Sequence, residues 1–405
     1  MKIAIICSGH IPSQWAHSIT TAKMADAFHK LSHHVELLAV ERFMEGRQKK
    51  IVKDVHELYG ISRDIKIVYF RDNSPFYFQE VRPCGCALRL VQKVTRNRLS
   101  YILDPERKIS RYCKDNEMDF SYCRSYRIVR YNIENQLSTI MESHTPHIKH
   151  PDLQRVIKLS CSRYFKGLVT ISEILKQNFI RAGVPKEKIL VLQDGVDVES
   201  FQNLPSQPEI REMLNLPSDK KLVIYCGSLF PDKGIEHILL VAKNLMDVMF
   251  ILVGGREGHI RMWRNYVNSR QISNVEFTGF VENSRVPLYL KAADALIMPY
   301  KTEQKTRIMD IHTTSPLKLF EYMAAKKPII STNIPAISRT IKHGVDGLLA
   351  EPNDIGELAH LVEVVLEDKK LAENLSHNAY EKVQEYDWKK RCEMILQYAG
   401  IGGKR

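Results

Sequence analysis

The sequence predicts an α/β protein made of two parallel-sheet domains. Three observations carry that expectation. Short β-branched runs alternate with segments of helical spacing along the chain. The alternation restarts after LPSQPEIREMLNLPSDK (Leu204 to Lys220), a stretch holding three prolines. The length, 405 residues, suits two domains at roughly 100–200 residues each. Hydrophobic residues make up 44% and charged residues 26%, a balance that excludes disordered and collagen-like chains. The apolar runs, such as Leu222 to Phe230, are too short for a membrane helix, which needs roughly 20 residues.

Lys2 to Cys7 is a β-branched run and reads as the first strand. Ser8 to Ser13 carries Gly and Pro and reads as a loop. Thr20 to Leu31 shows helical spacing through Met24, Ala27, Phe28 and Leu31, and Val35 to Val40 is a second strand. This strand-loop-helix-strand opening points to a sheet whose ligands sit beyond the carboxyl ends of the strands. Further strands are expected at Ile65 to Phe70, Phe120 to Cys123, Thr139 to Glu142, Gly167 to Ile171 and Ile189 to Leu192. The second series runs through Leu222 to Tyr225, Met249 to Val253, Val275 to Thr278, Ala295 to Met298, Pro328 to Ser331 and Gly347 to Ala350. Pro316 to Ala325 and Ile355 to Leu366 are helices between them. The expected domains are 1–200 and 201–385, with a C-terminal helix at about 386–405 packing back on the first.

Two such domains suit an enzyme with two substrates. Periplasmic binding proteins share the outline, but MKIAIICSGHIP shows no small-residue cleavage site and reads as a strand, so a cytosolic location is expected. Eight cysteines are scattered without a C-x-x-C pair, and reduced thiols are expected. Cys84 and Cys86 are too isolated to suggest a metal site.

The net charge of +12 is uneven: residues 1–200 carry +10 and residues 201–405 carry +2. The first half is therefore expected to face something anionic. ALRLVQKVTRNR (Ala87 to Arg98) sets an apolar stripe against Arg89, Lys93 and Arg96. As a helix it would suit an anionic membrane surface, or equally a packed helix with a solvated basic face. A peripheral position on the inner face of the cytoplasmic membrane follows from the first option. No nucleic-acid module is present, so nucleic acid is not expected as a partner.

Seven segments, in order, resemble the retaining glycosyltransferases of family 4. They are VTISEILKQNF (169–179), LQDGVDVESF (192–201), YCGSLFPDKGIEHIL (225–239), VEFTGFV (275–281), ADALIMPY (293–300), SPLKLFEYMAAKKPIISTNIPAI (315–337) and HGVDGLLAEPND (343–354). The N-terminal half resembles the family more loosely, through WAHSITTAKMADAF and the ESHTP segment. The resemblance implies the GT-B fold, two Rossmann-like domains facing each other across a cleft.

It also implies roles. Breaking a nucleotide-sugar bond leaves charge on the distal phosphate, which needs fixed cations and amide donors. Lys233 stands at the family's phosphate-binding lysine. The helix near Ser315 would aim free N–H groups at about Leu317 and Lys318 toward the pyrophosphate, and Lys318 adds a side-chain charge. Glu321 matches the second glutamate of the E-x7-E motif, which holds the donor ribose hydroxyls. Gly279 to Val281 corresponds to the loop whose backbone meets the nucleobase. His144 corresponds to a histidine that reaches the transferred sugar. His144, His147 and His150 form H-x-x-H-x-x-H, but Pro146 disfavours a regular helix there and no metal is expected. Trp15 and Ala16 replace the family's small glycines. The resemblance implies that the backbone there approaches the donor phosphate, through Ala16, or the acceptor; Trp15 and His17 are expected at the acceptor sugar, Trp15 as a stacking wall or else as an aromatic plug in the cleft.

Two departures stand out. The family's arginine five residues before the lysine is Ser228, which removes one phosphate charge. The first glutamate of E-x7-E is Thr313, with Asp310 out of register. The S-P-x-K-x-F-E form nevertheless resembles a variant found among bacterial surface-polysaccharide transferases. The implied function is retaining transfer of a sugar from a UDP- or GDP-sugar to a glycan, lipid-linked or small-molecule acceptor, with no required cofactor or metal. The other readings are a GT-B sugar-nucleotide epimerase or hydrolase, and a non-catalytic nucleotide-sugar-binding partner.

Overall fold

The computed structural model describes residues 1–9, 11–13, 15–41, 54–71, 104–145, 150–301 and 315–401. The chain divides into two compact units, Met1–Leu192 with Cys392–Arg405, and Gln193–Arg391.

In the first unit, seven described strands form one parallel sheet: β1 (Lys2–Cys7), β2 (His34–Glu41), β3 (Lys66–Arg71), β4 (Phe120–Cys123), β5 (Ser138–Glu142), β6 (Phe165–Thr170) and β7 (Ile189–Val191). Their order is β3-β2-β1-β4-β5-β6-β7. In the second unit, six form another: β8 (Lys221–Cys226), β9 (Val248–Val253), β10 (Val275–Gly279), β11 (Ala295–Met298), β12 (Ile329–Thr332) and β13 (Leu348–Ala350). These run β10-β9-β8-β11-β12-β13, again all parallel. Each sheet thus reverses its strand order beside its own first strand, which opens a crevice at the carboxyl ends.

The apolar character of the strands follows from helices covering both faces. Along β8, Leu222, Ile224 and Cys226 join one core, while Val223 and Tyr225 join the core on the opposite face. A period of two divides the strand between two buried surfaces. Phe28, Phe120 and Tyr122 pack edge-on or tilted at 6.3 to 6.5 Å in the first unit. Helices start where polar side chains accept their free amides: Ser125 caps Tyr126–Glu134, Ser172 caps Glu173–Arg181 and Asp354 caps Ile355–Glu367.

Several boundaries differ from expectation. The first helix is Ala16–Lys30, four residues longer at its start than Thr20 would make it. Thr20 and Thr21 bond back to the His17 carbonyl at 3.0 and 2.8 Å, so the first turn is closed by hydroxyls rather than by apolar spacing. The units part at Leu192/Gln193 because Val196, Val198 and Phe201 already belong to the second core. Residues up to Arg391 stay with that unit: the Val196 N–H donates to the Tyr386 carbonyl at 2.9 Å, and Arg391 donates to the Gln193 carbonyl at 2.9 Å. From Cys392 the chain belongs to the first unit, where Tyr398 reaches the Glu187 carbonyl at 2.9 Å.

Candidate functional site

The switch point of the second sheet lies between β8 and β11, and the loops leaving these strands meet there. Gly234 ends the turn Pro231–Lys233 with a φ of +72°, and a Cβ on it would stand 2.1 Å from the Pro299 carbonyl oxygen. Only glycine fits so close an approach. The turn therefore delivers Lys233 beside Tyr300, with its ammonium 5.7 Å from the ring centre. Asp232 pairs with Lys233 at 3.4 Å. Burial lowers the Lys233 pKa, and Asp232 works against that shift.

Lys318 comes from the other side, in the first turn of the helix Leu317–Ala324. Its ammonium donates to the Tyr225 hydroxyl at 2.8 Å and lies 5.4 Å from the Tyr300 ring centre. Two lysines thus approach one aromatic ring from separate elements. Burial, and then the like charge of Lys233, bring Lys318 down to about 7. The first amides of this helix, those of Leu317 and Lys318, lack acceptors within the helix and carry its positive dipole end. Tyr322 fixes the helix against β8 by accepting the Cys226 N–H at 2.7 Å.

Glu321 lies one turn after Lys318 on the same half-buried face, while Leu319, Phe320 and Tyr322 are buried. The Ser315 hydroxyl oxygen accepts the Asp194 N–H at 3.1 Å, which ties the helix entrance to the 193–201 segment. Ser228 is exposed at the tip of the β8 loop. Gly279 ends β10 and Val281 lies just beyond it, both half-buried, and the Gly279 carbonyl accepts from Gly254 at 2.8 Å. Lys233, Lys318, Tyr225 and Tyr300 therefore form one cluster at the switch point. Such a cluster, with a helix N-terminus beside it, offers cations and amide donors to an anion.

Tyr225, Tyr300 and Asp232 were missed by sequence reasoning. Both tyrosines end strand-like apolar runs and read as core; only the neighbouring lysines give the rings a second use. A cavity of about 540 Å³ elsewhere in this unit, bordered by Phe201, Leu204, Lys291, Lys327 and Tyr380, contains none of the expected site residues.

The expected residues of the first unit lie apart from one another in role. His17 sits in the first helical turn rather than in a loop, and its Nε2 accepts the Gly9 N–H at 3.2 Å. That places the ring proton on Nδ1. Burial, then Arg124 and His144, lower its pKa to about 3, so it is neutral at pH 7. Trp15 is 51% exposed just before the helix, and Ala16 is exposed as its first residue. His144 bonds through Nε2 to the buried Glu142 carboxylate. His150 caps the helix Pro151–Lys158, its Nδ1 accepting the Asp152 N–H at 3.1 Å. Arg89, Lys93, Arg96, His147, Asp310, Thr313, Cys84 and Cys86 lie outside the described residues.

Among the described residues, no helix is long and apolar enough to cross a membrane.

Residues 206–382 match the family model of the glycosyl transferases group 1. An uncharacterized glycosyltransferase of Methanocaldococcus jannaschii is 24% identical over 234 residues, 55% of this chain and 56% of that protein. The capsular polysaccharide biosynthesis glycosyltransferase CapM of Staphylococcus aureus is 24% identical over 229 residues, 54% of this chain and 56% of that protein. The chain thus spans a little over half the length of these relatives. Over the whole chain, the crystal structure of Anabaena HepE in complex with UDP and glucose is similar in fold. Its TM-score is 0.71 at 18% identity, covering 99% of both chains. The group 1 match thus falls within the second unit, and each unit has the parallel-sheet α/β architecture of the GT-B glycosyltransferase fold.

Proposed function

We propose that this protein is a retaining glycosyltransferase that moves a sugar from a UDP- or GDP-sugar to an acceptor in cell-surface polysaccharide or glycolipid synthesis. The observation that carries the reading is the Lys233–Tyr300–Lys318 cluster beside a helix N-terminus, inside the stretch that matches the group 1 model. The capsular polysaccharide relative and the UDP- and glucose-bound neighbour supply the substrate classes.

In this reading the two lysines and the helix amides hold the donor diphosphate, and Glu321 accepts from the ribose hydroxyls. As the bond between the anomeric carbon and the phosphate oxygen breaks, charge grows on that phosphate where the cations already stand. The acceptor oxygen bonds to the anomeric carbon on the face the phosphate leaves, and its proton passes to the departing phosphate oxygen. The nucleoside diphosphate is released and configuration is retained. The basic first unit takes the acceptor.

The test is release of UDP or GDP from a panel of sugar nucleotides, with and without acceptor, and NMR of the product's anomeric centre. Acceptor-dependent release with retention supports the reading. Release without acceptor indicates a hydrolase or epimerase. Binding without turnover indicates a non-catalytic partner, and an inverted product removes the retaining assignment.

A further inference from the structure

We propose that Lys318 supplies, from the helix, the donor-phosphate cation that position 228 lacks, and that Tyr225 is the residue that positions it. The inference rests on the nucleotide-sugar reading above and says how this chain meets that reading's main difficulty, the serine in place of an arginine.

The geometry joins Lys318 to the 227–228 loop in two ways. Gly227 has a φ of +149°, and a Cβ placed on it would lie 2.9 Å from Lys318 Cδ and 3.2 Å from Lys318 Nζ. The lysine stem therefore runs through the space that any side chain at 227 would fill. Tyr225, on the strand that feeds the loop, donates its hydroxyl to the Ser228 carbonyl at 2.7 Å and accepts from Lys318 Nζ at 2.8 Å. One phenol thus links the lysine ammonium to the backbone of the very residue that lacks the charge. The ammonium also stands 4.4 Å from the Tyr225 ring centre, so both the ring and the hydroxyl hold it.

An arginine at 228 would carry its charge at any pH, whereas Lys318 titrates. The groups that act on it are Lys233, which opposes its charged form, and Cys226, Glu321 and Asp232, which favour it; Tyr225 and Tyr300 face it as aromatic partners. An anionic diphosphate arriving beside it favours the ammonium. Binding above neutral pH then takes up a proton, and affinity falls as pH rises from about 6.5 to about 8.5.

The experiment measures UDP and GDP binding to the full chain by calorimetry. Lys318→Met is expected to weaken the bound nucleotide by about 10- to 100-fold at neutral pH, the scale of one charge-assisted bond. Ser228→Arg added to Lys318→Met is expected to return affinity to within about threefold of the unmodified protein. Lys318→Arg is expected to flatten the pH profile relative to the unmodified protein; the nucleotide's own titration is common to both. Tyr225→Phe is expected to move the midpoint of that profile to lower pH, because the lysine loses an acceptor; a merely structural tyrosine lowers Tm and leaves the midpoint in place. Equal binding by Lys318→Met, or a double variant no better than Lys318→Met, overturns the proposal. Should Lys318→Met not fold, a Lys318→Arg profile identical to that of the unmodified protein overturns it. If the unmodified protein binds neither nucleotide, the nucleotide-sugar reading itself fails and this inference falls with it.

Discussion

At the switch point beside β1, the first unit places His17, tied to the Gly9 N–H and kept neutral, with Arg124 from the loop after β4 bonded to Thr20 at 3.3 Å. At the matching place beside β8, the second unit gathers Lys233 and Lys318 around Tyr300. The backbones solve the same problem in both units, since a parallel sheet that reverses its strand order leaves a crevice at its carboxyl ends. The side chains do not. One crevice is braced by a half-buried neutral imidazole, the other concentrates two lysines and a helix N-terminus. The group 1 family model matches only within the second unit. The comparison teaches that strand order makes the place for a site, while a few loop and helix-end residues decide what it binds.

The sharpest way to break the comparison is to remove the cation of the second crevice. Lys233→Ala is expected to lower kcat/KM for transfer by about 100- to 1,000-fold, the scale seen when a preorganised charge partner is lost. Near-normal transfer would return Lys233 to an ordinary partner of Asp232. Next in size is Gly234→Ala, which sets a Cβ 2.1 Å from the Pro299 carbonyl oxygen at positive φ. A loss of about 2–4 kcal/mol is expected in urea unfolding, because both loops must move apart. An unchanged midpoint would show that the loops are not held together as described.

In the first crevice the effect depends on pH. The folded His17 has its pKa lowered from 6.5 to about 3, so below 6.5 the unfolded chain binds a proton that the folded one refuses. The stability that the neutral ring allows is complete above pH 6.5 and is lost as pH falls toward 3, by up to about 1.4 kcal/mol per pH unit. His17→Gln keeps an acceptor for Gly9 and does not titrate, so its unfolding midpoint is expected to vary less between pH 7 and pH 5. Equal slopes for the two proteins would mean that the ring is protonated in the fold. The smallest effect on stability is expected at Trp15, which is 51% exposed: Trp15→Ala stays within about 0.5 kcal/mol of the unmodified protein. If Trp15 meets the acceptor, the acceptor KM rises several-fold while the donor KM holds; a change in donor KM alone would place it with the nucleotide.

Much of the fold was legible because its signals are local. Lys2–Cys7, Phe120–Cys123 and Ala295–Met298 are observed as strands with the bounds expected from their apolar runs. The start of the first helix was not legible, since Ala16 and His17 carry no apolar spacing and the hydroxyls of Thr20 and Thr21 close the turn. The second site was half legible. Lys233, Lys318 and Glu321 stand in the motif segments that carry the resemblance, and the fold brings the two lysines to one ring. Tyr225 read as a strand residue, because its second use depends on Lys318, 93 positions away.

By itself the sequence determined the two α/β series, the unequal charge of the two halves, and the lysines and the helix N-terminus expected at a phosphate. The first two follow from periodicity and composition, properties of neighbouring residues, while the lysines and the helix end at a phosphate are what the family resemblance implies. Tertiary structure alone decided that Lys318 lies against Gly227 and Tyr225, that Lys233 and Lys318 share the Tyr300 ring, and that His17 is neutral. Each of those depends on desolvation and on contacts made across the sheet, and neither exists until the chain has folded.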